Sequence, residues 1–318
     1  MGKKILITGA SGFIGTNLLE HFKKSGFEVV NLDILPPRNK KHTSLWIKTD
    51  ILNLNDLIDK FNEFNPDYIV HLAARTDLNG KSIEDYSANT DGVKNFLEAS
   101  YSLINLKKII ITSSMLVCEA GYKPKNMFDY KPTTIYGQSK VETEKIVWNN
   151  PPACDWAIIR PTSIWGPWFN IPYRNFFDLL ISKKYFHIGD KSCTKTYGYV
   201  GNATYQIEKI LFTETSDKND KVFYIGDETP TNIEEWANEI AEELNYKITK
   251  LPYNAIRIAA TFGDILKKLK INFPMTSFRL RNMTTNNIVD VSSTIKLAPT
   301  SPFSRKDGVK ETLLWLRE

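Results

Sequence analysis

The chain has 318 residues, of which 42% are hydrophobic and 24% charged, proportions ordinary for a globular protein with room for a large core in one domain or two intimate ones. Forty-one Lys and Arg against 36 Asp and Glu leave a net charge of +5; with no long basic arm and no basic–aromatic repeat, nucleic acid is not the expected partner. Three cysteines without close spacing (Cys118, Cys154, Cys193) and four scattered histidines argue against a disulfide framework and against a metal site.

The N-terminal apolar run Ile5-Leu6-Ile7 is too short for a signal peptide or a membrane span, so a cytoplasmic protein with no membrane partner is expected. Its strand is followed by a helix over Phe13–Lys24, ended near Gly26. Val29–Leu32 predicts a second strand closing on Asp33, and Leu45–Lys48 a third. Leu54–Phe64 reads as a helix, Asp67–Leu72 as a strand and Ser87–Leu103 as a long helix. Lys108–Thr112 is a strand, Gln138–Trp148 a helix and Trp156–Arg160 another strand. Apolar strands alternating with amphipathic helices predict an α/β fold, a doubly wound parallel sheet (Rossmann) with right-handed crossovers.

After Pro161 the pattern loosens. Gly166–Pro172 reads as a loop. Phe176–Lys183, Ile233–Leu244 and Ala255–Leu269 read as helices, and Tyr197–Val200 and Val222–Ile225 as strands. This predicts an NAD-binding domain over 1–165, with a returning segment near 196–225, and a smaller C-terminal α/β substrate domain over 166–318. Two short basic runs, Arg38–Lys41 and Lys267–Lys270, read as solvated surface or as a positive cleft for a phosphorylated substrate.

The first strand runs into Gly9-Ala10-Ser11-Gly12-Phe13-Ile14-Gly15 and then a helix. Gly9 permits a tight turn, Gly12 lets backbone approach a phosphate, and Gly15 lets helix and strand pack; the helix N-terminus offers free N–H groups. Gly9, Ser11, Gly12, Phe13, Ile14 and Gly15 are therefore expected to hold a dinucleotide. Asp33 ends the second strand 24 residues after Gly9, where a carboxylate accepts ribose hydroxyls and repels a 2′-phosphate. NAD is expected over NADP, although Arg38 nearby could neutralise a 2′-phosphate.

Tyr136 and Lys140 stand one helical turn apart on one face. A nearby cation lowers a phenol's pKa and lets Tyr act as acid or base; the same Lys can hold a nicotinamide ribose. Ser113 and Ser114 follow the Lys108–Thr112 strand, at the sheet edge where ligands bind, and a serine hydroxyl there can bind the reacting oxygen. Trp165, Trp168, Phe169 and Tyr173 cluster after the sheet, as core under a loop or as a surface for a base or sugar.

These pieces together resemble the extended short-chain dehydrogenase/reductase family, in its sugar-nucleotide epimerase/dehydratase branch. The matching segments are Thr8–Gly15, Asp33, Asp50-Ile51, His71–Ala74, Asn89–Gly92, Thr112–Ser114, Tyr136–Lys140, Arg160-Pro161 and Gly166-Pro167. The resemblance implies that Asp50 and Ile51 flank the adenine, and that Leu72, Ala73 and Ala74 line the cofactor cleft, with Thr112 among the cofactor residues. It places Asn89 behind the site and makes Tyr136, Lys140 and Ser114 catalytic. It also implies a homodimer whose four-helix bundle uses Ser87–Leu103 and Gln138–Trp148 of each subunit.

Departures from the family pattern narrow the reaction. Where dehydratases carry Thr-Asp-Glu, this chain has Ser114-Met115-Leu116, which removes the acid and base needed to expel water; the decarboxylating branch loses its Glu at the same place. Lys195–Val200 stands for the family's R-D-F-x-Y-V segment, keeping a cation for a diphosphate, and Ser163 stands where Asn is usual. Arg279 and Arg281 are candidates for a second diphosphate clamp, or plain surface charge. The expected function is an NAD-dependent epimerase or 4-ketoreductase of a nucleoside-diphosphate sugar, by hydride transfer at C4. The alternatives are a dehydrogenase/reductase of a non-sugar alcohol or carbonyl, and a non-catalytic NAD-sensing module.

Overall fold

Runs of Val and Ile become strands here because both of their faces are covered. The computed structural model describes residues 2–171, 173–215, 221–269, 271, 273 and 275–318; Pro172 of the expected loop and Lys270 of the basic run lie outside the described residues. The first half runs β1 (Lys4–Thr8), α1 (Phe13–Lys24), β2 (Glu28–Asp33), β3 (Trp46–Lys48), α2 (Leu54–Phe64), β4 (Tyr68–His71), α3 (Ser87–Ser100), β5 (Lys108–Thr112), α4 (Ile135–Asn149) and β6 (Asp155–Pro161). The second half runs β7 (Ser163–Trp165), α5 (Arg174–Ile181), β8 (Phe186–Ile188), β9 (Thr194–Lys195), β10 (Tyr197–Tyr199), α6 (Val200–Phe212), β11 (Val222–Ile225), β12 (Thr231–Asn232), α7 (Ile233–Glu243), β13 (Thr249–Leu251), α8 (Tyr253–Lys268), α9 (Ser277–Thr284), α10 (Ser292–Leu297) and α11 (Arg305–Trp315).

Seven strands form one sheet in the order β11-β6-β5-β4-β1-β2-β3, every pair parallel. The order reverses between β1 and β4, so the loops after these strands part at their carboxyl ends and leave a crevice. One apolar cluster covers one face with α1, α6, α7 and α11 (Leu18, Phe22, Ile207, Trp236, Leu313). A second covers the other face with α2 and α3 (Phe61, Phe96, Leu97).

The elements begin and end where local chemistry dictates. In α1 the buried residues Gly15, Leu18, Leu19 and Phe22 form one stripe, and Gly26 at φ +80° turns the chain away. α4 starts three residues earlier than the pattern suggested, because the Thr134 hydroxyl accepts the Gly137 N–H at 2.9 Å. α3 stops at Ser100 rather than Leu103, and Leu45 belongs to a 3-10 turn ahead of β3.

The larger departures lie after β6. Val200 opens a helix instead of closing a strand. That helix, α6, escapes a periodicity reading because Asn202, Thr204 and Gln206 sit buried on it. Thr204 turns its hydroxyl back onto the Gly201 carbonyl of its own helix, whereas the other two have tertiary partners: Asn202 donates to Asp227 at 2.9 Å, and Gln206 exchanges bonds with both backbone groups of Gly226. α9, α10, α11 and the short strands β7, β8, β9, β12 and β13 were likewise outside the expectation, while Tyr197–Tyr199 forms the expected strand as β10. α11 carries a full capping box between Ser304 and Asp307. A small satellite core of Ile188, Ile256, Ala260, Met275 and Leu280 joins α8 and α9 to β8.

Candidate active site

At the carboxyl end of β1, Gly9 takes φ +77°. A Cβ there would lie 2.5 Å from the Ala73 nitrogen, and one on Gly15 2.5 Å from the Ala10 Cα, so both positions exclude a side chain. A Cβ on Gly12 would meet only the Gly9 carbonyl, at 3.1 Å. Gly12 is also the N-cap of α1 and supplies no side-chain bond to its first turn, whose N–H groups have no acceptor within the helix. The turn is thus closed on its protein side and open at the helix end, the form a pyrophosphate needs.

Asp33 lies at the rim of this turn, where its carboxylate accepts the N–H groups of Ser11 at 3.0 Å and Leu35 at 2.9 Å. Burial raises its pKa above the usual carboxylate value, against the lowering effect of those amides and of Arg38. Arg38 is tied to backbone, donating to the carbonyls of Ser11 at 3.2 Å and Trp168 at 2.8 Å. Ile51 is buried and packs against Gly92, while Asp50 is exposed. Leu72, Ala73 and Ala74 follow β4 directly. The fully buried Asn89 holds that loop, exchanging bonds with both backbone groups of Arg75 and donating to Ser139 at 2.9 Å.

One strand over, β5 ends at Thr112. Its carbonyl accepts the Lys140 amine at 2.9 Å. Among the described residues its buried Oγ1 has no hydrogen-bond partner, a polar atom left for a ligand. Burial depresses Lys140 to about 8. Tyr136 is buried too, one turn back on α4. The close contact of α4 with the turn after β5 requires Gly137, because a Cβ there would stand 2.3 Å from the Leu116 carbonyl. Ser114 accepts the Leu116 N–H at 3.1 Å, which leaves its own proton for Tyr136, its hydrogen-bond partner.

The expected effect of Lys140 on the phenol is corrected by this geometry. Burial pushes Tyr136 up to about 12, and the lowering contribution comes from Ser114. Lys140 is held at the Thr112 carbonyl and is itself desolvated, and the phenol stays above its ordinary value beside it.

Glu144, one further turn along α4, anchors the arrangement from beneath. It accepts Ser113 at 2.5 Å, Tyr130 at 2.9 Å and Arg160 at 2.6–2.8 Å. Glu144 and Arg160 are both fully buried, and the pattern of motifs had not singled out Glu144. A signal existed: an acid at Tyr136+8 falls on the same helix face. His71 was present only as part of a motif. Burial drives it to about 3, so it is neutral; it shares a 2.7 Å bond with the Thr8 hydroxyl and stacks on Phe96.

Two further tyrosines, Tyr86 and Tyr173, stand near enough to Tyr136 to raise its pKa. Tyr86 and Tyr136 have ring centroids 6.1 Å apart, and Tyr173 donates to Ser163 at 3.2 Å. Trp165 and Phe169 are core, packed on Phe177, Tyr199, Trp236 and Trp315. Trp168 packs on Trp315 at positive φ. Lys195 donates to the Asn282 carbonyl at 2.6 Å, which sets it against α9, the helix that carries Arg279 and Arg281.

A family model described as the NAD dependent epimerase/dehydratase family matches residues 5–219. Across 98% of this chain and 95% of the other, 28% of residues are identical to the N-acetyl-alpha-D-glucosaminyl-diphospho-ditrans,octacis-undecaprenol 4-epimerase of Escherichia coli O157:H7. A sterol-4-alpha-carboxylate 3-dehydrogenase (decarboxylating) of Candida albicans is 26% identical over 99% of this chain and 98% of its own. The UDP-glucuronic acid 4-epimerase of Bacillus cereus, solved with NAD, superposes with a TM-score of 0.73 at 21% identity, over 99% of this chain and 96% of that one. With the model covering two thirds of its length, this chain belongs to the NAD dependent epimerase/dehydratase family.

Proposed function

We propose that the protein is an NAD-dependent epimerase or 4-ketoreductase acting at C4 of a sugar carried on a diphosphate. The observation that carries this reading is the Ser114–Tyr136–Lys140 set, anchored at the carboxyl ends of the strands beside an open dinucleotide turn. Gly9, Ser11, Gly12, Phe13, Ile14 and Gly15 would hold the pyrophosphate, and Asp33 the adenosine ribose. Asp50 and Ile51 would flank the adenine, and Lys140, Thr112 and Leu72–Ala74 would face the nicotinamide half. Bound NAD supplies the hydride acceptor and donor.

The chain's own groups move the proton and hold the substrate. Tyr136 takes the C4 hydroxyl proton as the ketone forms and returns it as the ketone is reduced. Ser114 donates to the reacting oxygen. With Met115 and Leu116 in the turn after β5, no carboxylic acid or carboxylate stands there to drive elimination. Lys195, Arg279 and Arg281, with Ser163 and Tyr173 nearer the tyrosine, would receive the diphosphate and sugar. Nucleoside-diphosphate sugars are the class implied by the fold relatives solved with UDP sugars, and the E. coli relative's name adds polyprenyl-diphosphate sugars. The sterol relative keeps a non-sugar alcohol as the second reading, in which the cations around α9 have no role.

Tyr136→Phe is expected to lower turnover of the accepted diphosphosugar about 10²–10⁴-fold, and turnover equal to wild type would reject the assignment. Native mass spectrometry separates the two reactions, since retained NAD marks an epimerase and a cofactor that washes out marks a reductase.

We also assign a homodimer. α3 and α4 pack side by side and leave a groove of about 940 Å³ between them, lined by Ile83, Ser87, Lys94, Val141, Glu142 and Ile146, and a second copy would fill it. A monomer by sedimentation velocity at micromolar concentration would reject this. The three unpaired cysteines support a reducing, cytoplasmic location.

A further inference from the structure

α8 is apolar on two opposite faces, and among the described residues only one of them is covered. Ile256, Ala260 and Gly263 face inward and are buried against Ile188, Met275 and Leu280. Ile258, Phe262, Ile265 and Leu269 recur at i, i+4, i+7 and i+11, which places them on one outward stripe. Their relative exposures are 71%, 54%, 53% and 65%, and Phe278 at the start of α9 adds another large side chain at 65%. A shallow groove of about 430 Å³ runs along Arg257, Ile258, Thr261, Phe262 and Ile265. A contiguous row of this kind on a single helix marks a contact surface rather than scattered surface hydrophobics.

Charge identifies the partner. Residues 253–284 contain Arg257, Lys267, Lys268, Lys270, Arg279 and Arg281 against Asp264 alone. Six cations and one anion make +5, which equals the net charge of the whole chain; the other residues together are neutral. Asp264 is engaged locally, accepting the Ser277 N–H at 3.1 Å. A second copy meeting this stripe across a two-fold axis would set cation against cation. An anionic bilayer meets both features at once, taking the apolar row into the acyl boundary and the flanking Arg257 and Lys268 among its phosphates. Among the described residues no helix is long and apolar enough to cross a membrane, so α8 would lie on the surface.

We infer that the α8–α9 hairpin docks the protein on the surface of an anionic phospholipid bilayer. Resting on the proposed reading of the catalytic site, this also selects among substrates. Lys195 reaches the Asn282 carbonyl of α9, and α9 packs on α8 through Leu280, Ile256 and Ala260. The cations proposed to receive the diphosphate therefore adjoin the docking stripe, and the favoured substrate is a sugar diphosphate whose far end is a membrane-embedded lipid.

The test is flotation of the full chain with vesicles of phosphatidylcholine, with and without phosphatidylglycerol. Wild type is expected to float with the anionic vesicles. I258Q/F262Q, at two exposed positions outside the catalytic machinery, is expected to lose about tenfold or more in binding with an unchanged melting temperature. R257Q/K268Q is expected to lose the preference for anionic vesicles. Failure of wild type to bind any vesicle, equal binding by I258Q/F262Q, or a wild-type dimer that I258Q/F262Q dissolves would each overturn the inference. For the substrate, I258Q/F262Q should turn over a soluble nucleotide sugar like wild type and a vesicle-anchored diphosphosugar more slowly; equal rates on both would overturn the lipid-linked assignment. Vesicle binding without turnover of either compound rejects the catalytic reading and upholds the docking surface.

Discussion

The parallel sheet and the α8–α9 hairpin solve the burial problem differently. Around β4 and β5 both faces of every strand are covered, and even ionic groups are buried: Lys140, Glu144 and Arg160 all lie inside. The hairpin covers one face with a satellite core built on Ile188, Ile256, Ala260, Met275 and Leu280, and among the described residues the opposite face of α8 is left bare. The sheet region cannot change without loss, because buried charge is tolerated only when paired. The hairpin can vary its outer face at little cost to folding, which suits a region that chooses what is presented to a fixed catalytic center.

The largest test of this contrast is Glu144→Gln. It leaves Arg160 buried without a counter-charge and turns one of the two oxygens that accept Ser113 and Tyr130 into an NH2 donor, so a loss of about 3–5 kcal/mol is expected in denaturant unfolding. E144M/R160M, which removes both charges, should recover much of it. A loss below about 1 kcal/mol for the single variant would show that the buried pair does not anchor α4.

Lys140 offers a pH test of similar size. Its ordinary value is 10.5, and burial brings it to about 8 in the folded chain. Between those values the unfolded chain holds a proton that the folded chain has released, so stability rises with pH across the window, by about 3 kcal/mol in total. Lys140→Met lacks this dependence. The stability of wild type relative to K140M should therefore climb from pH 7 to pH 10; a flat difference would mean that the ammonium is solvated after all.

The smallest expected effect belongs to the hairpin side. Lys195 is partly exposed and donates to the Asn282 carbonyl. Lys195→Met should leave stability within about 0.5 kcal/mol and raise KM for a diphosphosugar about tenfold with kcat nearly unchanged, the signature of lost uniform binding. Unchanged KM would move the diphosphate away from α9 and favour a non-sugar alcohol.

What could be read in the amino-acid order follows this same divide. The glycine turn, the strands from β1 to β6 and the pairing of Tyr136 with Lys140 are legible because each depends on spacing along one short segment: a φ sign at Gly9, a period of two or 3.6, a single helical turn. α6 was not legible, since Asn202 and Gln206 look like surface until Asp227 and Gly226 arrive from elsewhere to bond them. Nor was the pKa of Tyr136, which local spacing assigned to Lys140 and burial decides instead.

By itself the sequence determined the glycine turn, the parallel sheet and the placing of Tyr136 and Lys140 on one face of one helix, because these are properties of local geometry and residue chemistry. Only the tertiary structure decided that Glu144 and Arg160 close the floor beneath Ser113, that Lys195 meets the α9 backbone, and that one apolar face of α8 is left uncovered. Burial and long-range pairing depend on which distant segments come together, and no periodicity along the chain encodes that choice.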